Sequence, residues 1–190
     1  SIKARLIHPE GRMGPISSET YFELQSSLAN RSSNLPLIIL ENYGDGRPSS
    51  GDYQTASMAI IEPSDGRGRF KDPLTVVSQV GIKTRGSSTG GRSKSSLSME
   101  MQDEFGQDKN LSLIGMPNES DWVLWGPYNF DLTLMHNPFI FELSRQIGRY
   151  APRTRFVELY MNTGGGALST ADYFGVYALM EKIDRDSDRV

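Results

Sequence analysis

The 190-residue chain contains no cysteine, which excludes disulfide cross-links and thiolate metal sites and leaves the redox compartment open. Histidine is nearly absent too: His8 and His136 are far apart and show no metal-ligand spacing, so no metal-binding residues are assigned. No apolar run approaches the roughly 20 residues that a membrane-spanning helix needs, and nothing at the start resembles a signal peptide. An excess of one charge is also missing. Twenty Lys and Arg stand against 23 Asp and Glu, for a formal net charge of −3, which gives no general attraction to nucleic acid or anionic membranes. There are no repeats, no heptads, and no Ser/His/Asp arrangement that loose serines would support. Neither end carries a terminating element. Ser1 runs straight into the strand-like IKARLI, and Val190 follows the charged EKIDRDSDRV, so a piece of a longer protein is expected.

What is present centres on residues 113–162. This run holds both tryptophans, Trp122 and Trp125, and the densest apolar periodicity. From Asp131, apolar residues fall at Leu132, Met135, Phe139, Leu143 and Ile147, a helical three-or-four spacing. Asp131 can cap the start and Gly148 can close the end. Pro138 either kinks this helix or begins a shorter one capped by Asn137. After Pro152, the stretch 155–162 alternates with little polar surface and predicts a central strand.

Elsewhere, strands are predicted over 35–41, 53–62, 74–85 (with Gly81 a candidate bulge), 95–102 and 173–181. In 95–102, Leu97, Met99 and Met101 point inward. Asp108 or Asn110 is read as capping a short helix through Leu113. Residues 1–34, rich in turn and linker chemistry, are read as the tail of a preceding module and a connector. The pattern predicts an α+β fold, mainly antiparallel sheet with one principal helix.

Four groups of residues invite a chemical reading. The Gly/Ser-rich loop from Arg85 through Gly86, Ser87 and Ser88 to Lys94 lets backbone amides approach a phosphate, with a lysine to neutralise it, but it is not a Walker A spacing. Glu142 is the only carboxylate on the helix after its cap, and needs either solvent or a cation; Arg145 is a local partner. Trp122, Trp125 and Tyr128 form either a sugar-stacking platform or packing around the helix entry. Arg149, Arg153 and Arg155 form a basic cluster, read as a solvated face or an ion-pair set with Glu158.

Several long blocks carry a resemblance. GMPNESDWVLWGPY, TLMHNPFIFELSRQIG, YAPRTRFVELY and YFGVYALMEKIDRD resemble the CotH family of spore-coat-protein-H kinases, with further similarity in order and spacing from about Leu35 to Val190. The resemblance implies that residues 35–190 are the N-terminal portion of a kinase domain, with an N-lobe like that of protein kinases and the C-terminal lobe lying outside this chain. It implies a parent that phosphorylates protein serine or threonine from ATP and magnesium, with Lys94 on the phosphates and Glu142 orienting that lysine. Arg85, Gly86, Ser87 and Ser88 would cover the nucleotide, and Glu181, leading the Glu-Lys-Ile of a hinge-like segment, would lie at its cleft. The acidic magnesium ligands would lie downstream, so the chain alone is expected to be inactive. Family context points to an extracellular or cell-surface multidomain protein. The sequence departs from the family pattern at Ser95 and Leu97, where a second lysine and an aromatic are usual, and at His136, often arginine. The competing reading is a non-catalytic pseudokinase scaffold, or a surface module that binds carbohydrate.

Overall fold

The structure, a computed structural model, describes residues 2–126 and 131–185. Its strands are β1 (Ile2–Ile7), β2 (Met13–Glu19), β3 (Ser32–Ser33), β4 (Leu37–Glu41), β5 (Gln54–Ile61), β6 (Gly68–Arg69), β7 (Val76–Arg85), β8 (Ser96–Gln102), β9 (Asp121–Trp125), β10 (Thr154–Asn162) and β11 (Tyr173–Glu181). Among the described residues a single α-helix, α1, spans His136–Gln146.

The expected α+β arrangement like a kinase N-lobe is not what forms. The protein is mostly β, 41% strand against 10% helix, and seven strands close into a barrel in the order β10-β11-β9-β8-β7-β5-β4. Closure depends on β4. It lies antiparallel to β5, with Ile39 opposite Ala59, and parallel to β10, with Ile39 opposite Tyr160. Every barrel strand therefore has two neighbours, and the barrel has no open edge, while β1 with β2 and β3 with β6 form separate two-stranded sheets.

The side-chain pattern follows from closure. Alternate residues of each strand point into the barrel, where Ile38, Leu40, Met58, Ile60, Ile82, Met99, Trp122, Leu159 and Leu179 are all solvent-inaccessible. The intervening residues of β4 and β5 are buried as well. Leu37, Ile39, Ala59 and Ile61 lie on the outer face in a second cluster with Leu28, Phe70, Tyr160 and Leu168, and Phe22 and Leu24 pack against it. Burial on both faces is why LPLIIL reads as a continuous apolar run rather than an alternating one. Truncating any one of these core aliphatics to alanine would cost about 2–5 kcal/mol.

Sequence expectations for β4, β5, β7, β8, β10 and β11 agree with the observed strands to within two residues at each end. Gly81 is not a bulge. It pairs in register with Thr55 and Glu100, and a side chain there would come within 3.1 Å of Tyr53 Cβ. The short helix expected before Leu113 does not form; an isolated bridge from Leu111 to Glu119 occupies that stretch. The apolar stripe of the helix is also not core: Phe139, Ile140, Leu143 and Ile147 are all exposed, and Pro138 is the buried residue of α1. With α1 starting at His136, Pro138 sits in the first turn, where its missing N–H leaves no bond unmade. Asp131 anchors that start from five residues upstream, its carboxylate accepting from the His136 amide at 3.0 Å. Among the described residues, no helix is long and apolar enough to cross a membrane.

Candidate functional site

One end of the barrel is built from three loops: 42–53 after β4, 86–95 after β7 and 163–172 after β10. The first and third are bound together because their strands are parallel neighbours that end side by side. Asn42 and Asn162, the residue after β4 and the last of β10, are both buried; each amide side chain donates to a carbonyl of its own loop, Gly46 at 2.6 Å and Gly166 at 2.8 Å. The Gly46 amide donates across to the Thr163 carbonyl at 3.0 Å. Arg47 follows directly, so its position is fixed from below.

The 86–95 loop folds back onto this frame. Gly86 has φ +103°, and a side chain there would lie 2.3 Å from Thr89 Oγ1; one at Gly90 would lie 2.6 Å from the Gly86 carbonyl oxygen. Both positions therefore require glycine. Thr84, at the loop's entry, donates its hydroxyl to the Pro48 carbonyl at 2.6 Å and its amide to the Ser49 carbonyl at 2.8 Å. Arg47 donates to the Ser93 carbonyl at 2.7 Å while its guanidinium lies 5.1 Å from the Phe174 ring centre. At the loop's exit, the Tyr177 hydroxyl donates to the Ser95 carbonyl at 3.2 Å.

Between these parts lies a cavity of about 230 Å³, with Arg47, Gly90, Gly91, Arg92 and Phe174 around its mouth and Leu97, Met161 and Tyr177 toward the barrel interior. Lys94 stands beside it. Its ammonium donates to the Val176 carbonyl at 2.6 Å and sits 5.1 Å from the Tyr177 ring centre. Burial pulls the Lys94 pKa below the usual lysine value, and burial pushes the Tyr177 phenol up to about 12. None of Arg47, Arg92 and Lys94 forms an ion pair among the described residues. Three cations beside a concave, glycine-lined surface make it attractive to an anion.

The residues predicted from sequence are only partly brought together. Arg85 ends β7 and Gly86, Ser87 and Ser88 share the loop with Lys94, but all four are exposed, and the cavity is lined by the following Gly90, Gly91 and Arg92. Glu142 does not meet Lys94. Its carboxylate takes hydrogen bonds from Gln146 at 3.0 Å and from Arg145, and these bonds hold it below the usual carboxylate range. This is the local surface pair, one of the two readings the sequence left open. Glu181 is at the opposite end of β11, five residues beyond Val176 and so roughly 16 Å along an extended strand. There its buried carboxylate accepts from the Arg153 guanidinium and the Arg153 amide, both at 2.7 Å. The ion pair of the basic cluster is thus Arg153 with Glu181, while Glu158 accepts from Ser33.

Trp122 is wholly buried, its ring nitrogen donating to the Glu119 carbonyl at 3.0 Å, so it cannot stack on a sugar. Trp125 is partly buried and Tyr128 lies outside the described residues. Sequence reasoning missed Arg47, Arg92, Phe174 and Tyr177. Arg92 stood in the loop already singled out, between two glycines and a serine; Arg47 carried no local signal beyond being a cation among turn formers.

A seven-stranded barrel with a cationic, glycine-lined mouth defines the class of domain. The family model described as CotH kinase protein matches residues 82–190, more than half of the chain, and the chain belongs to that family. No curated protein matches it. The matched stretch begins inside β7, so β4, β5 and Arg47 precede it.

Proposed function

We propose that this domain handles the nucleotide in a CotH-type kinase that transfers phosphate from ATP to a protein serine or threonine. The observation that carries the proposal is the convergence of Arg47, Arg92 and Lys94, without carboxylate partners, on a loop whose glycines hold backbone close to a cavity. At about 230 Å³ the cavity is smaller than the roughly 300–1,000 Å³ of pockets that enclose a whole small-molecule ligand. It suits phosphate groups, with base and ribose lying outside it. In this role Lys94 supplies the half-buried charge, Arg47 and Arg92 the flanking charge, and the 86–95 backbone the close approach. Positioning and charge neutralisation are the protein's main contributions to phosphoryl transfer.

Magnesium, which the family resemblance implies, does not find a fit among the described residues, where no three His, Asp or Glu side chains converge. What these residues supply is binding and orientation of the phosphates. Calorimetric titration of the protein with ATP in magnesium buffer, beside its Lys94→Ala variant, tests the reading. Affinity lowered about tenfold or more in the variant, about 1.4 kcal/mol, is expected. Equal affinities would remove Lys94 from the site, and no binding by the folded protein would remove the nucleotide.

A further inference from the structure

A second cavity, of about 410 Å³, lies on the outer face of the barrel, where residues 30–32 and Arg67 face the outer side of β10 and the start of β11. Its size falls within the range of small-molecule sites. Three rings line up along it: Phe70 meets Tyr160 edge-on with centres 4.8 Å apart, and Tyr160 meets Tyr173 at 4.9 Å. Burial raises the pKa of both tyrosines, so their hydroxyls remain protonated donors at neutral pH.

The charges around the cavity are not paired off. Arg31 and Arg67 both line it, and neither forms an ion pair among the described residues. Arg67 is held in place by its bonds to the Ser32 hydroxyl at 2.7 Å and carbonyl at 2.8 Å, and Arg31 lies near enough to Tyr160 for its charge to work against the effect of burial on that phenol. The one carboxylate among the described residues that line it, Glu158, accepts from the Ser33 hydroxyl at 2.7 Å and keeps acceptor capacity for more. Two guanidiniums on one cavity, that of Arg67 fixed by its Ser32 bonds, call for an oxyanion, since their fork matches a carboxylate or phosphate. A spare carboxylate with the Asn30 amide calls for hydroxyl groups, and a partly exposed tyrosine ring offers a face to the apolar side of a sugar.

From this combination we infer that the outer cavity binds an acidic sugar, its acid group on Arg31 and Arg67 and its hydroxyls on Glu158 and Asn30. The site is separate from the barrel mouth and stands whether or not nucleotide binds there. Titration of the protein with glucuronate, glucose 6-phosphate, glucose, acetate and inorganic phosphate at constant ionic strength tests it, beside the Arg31→Gln and Tyr173→Leu variants. Saturable binding of at least one acidic sugar is expected, at least tenfold tighter than glucose and than the matching bare anion, and at least tenfold weaker in both variants. Whichever acidic sugar binds tighter identifies the acid group as carboxylate or phosphate. Failure of both acidic sugars to saturate, glucose binding as tightly, bare anions binding as tightly, or variants with unchanged affinity and a wild-type circular dichroism spectrum would each overturn the inference.

Discussion

Arg153→Met is expected to destabilise the domain strongly although it touches no residue of the barrel mouth. Glu181 is 1% exposed, and the Arg153 guanidinium is its only charged partner in the ion pairs of the described residues. Methionine keeps most of the aliphatic stem and the backbone amide that donates to Glu181, so the change isolates the loss of the charge partner. Breaking a buried ion pair by removing one member costs about 3–5 kcal/mol, because the remaining charge is left uncompensated. The Arg153 side chain is itself 37% exposed, which lets water reach the vacated side and puts the expected loss near the lower end, about 3 kcal/mol. For a domain of this size that is a fall in Tm of about 6–12 °C. The double variant Arg153→Met with Glu181→Leu removes both charges and should regain most of the loss. Urea unfolding of the three proteins at neutral pH reads these values directly. A single variant within about 0.5 kcal/mol of the parent, or a double variant no better than the single, would refute the reasoning.

Three further outcomes are expected. Gly90→Ala drives a Cβ against the Gly86 carbonyl, so ATP affinity should fall about tenfold or more while the barrel's circular dichroism is unchanged; unaltered affinity would show the loop's conformation to be immaterial. Burial favours raising the Asp131 pKa, but its bonds from Thr133 and the His136 amide and the nearby His136 outweigh that and hold it below the usual value. The unfolded chain then takes up this proton first as pH falls, so the carboxyl's contribution is full above the ordinary value of about 3.9 and is lost below it, through the folded pKa. Asp131→Asn should flatten that acid limb of a stability–pH profile, and an identical profile would contradict the anchoring role. Finally, amine acetylation followed by mass spectrometry should find Lys94 becoming reactive at a lower pH than the ordinary lysine value, as its desolvation requires; an ordinary midpoint would count against its half-buried setting.

The strands were legible where a local pattern carried the signal. In β8 the alternation of Leu97, Met99 and Met101 with Ser96, Ser98 and Glu100 is what a one-sided strand needs, and all three apolar residues are buried inside the barrel. Barrel closure was not legible, because it rests on β4 meeting β10 across a sequence separation that no periodicity reports: Leu37 lies opposite Glu158. Strand β9 was hidden for a related reason. DWVLW offered two large aromatics and no clear alternation over five residues, though Trp122 and Leu124 point inward and Val123 outward. The helix misled in the opposite direction. Its Phe139, Leu143 and Ile147 have the spacing of a core-facing stripe, yet they are exposed in the described structure.

The site was legible to the same extent. The 86–95 loop could be singled out because glycine and serine at a strand-to-strand junction announce close backbone approach, and Lys94 does sit beside the cavity. Arg47 reaches the loop from 46 residues upstream, by way of the paired Asn42 and Asn162 loops, so only the closed barrel reveals it. Glu142 had a satisfied local alternative in Arg145 from the outset, and the helix geometry favours residues three and four apart.

The most direct test of the nucleotide account is an amide NMR titration of the protein with ATP in magnesium buffer. The account predicts saturable shifts centred on Gly86, Gly90, Gly91 and Lys94, with smaller ones at Arg47 and Phe174. Shifts centred on Arg153 and Glu181 at the opposite end of the barrel, or none at saturating nucleotide, would contradict it.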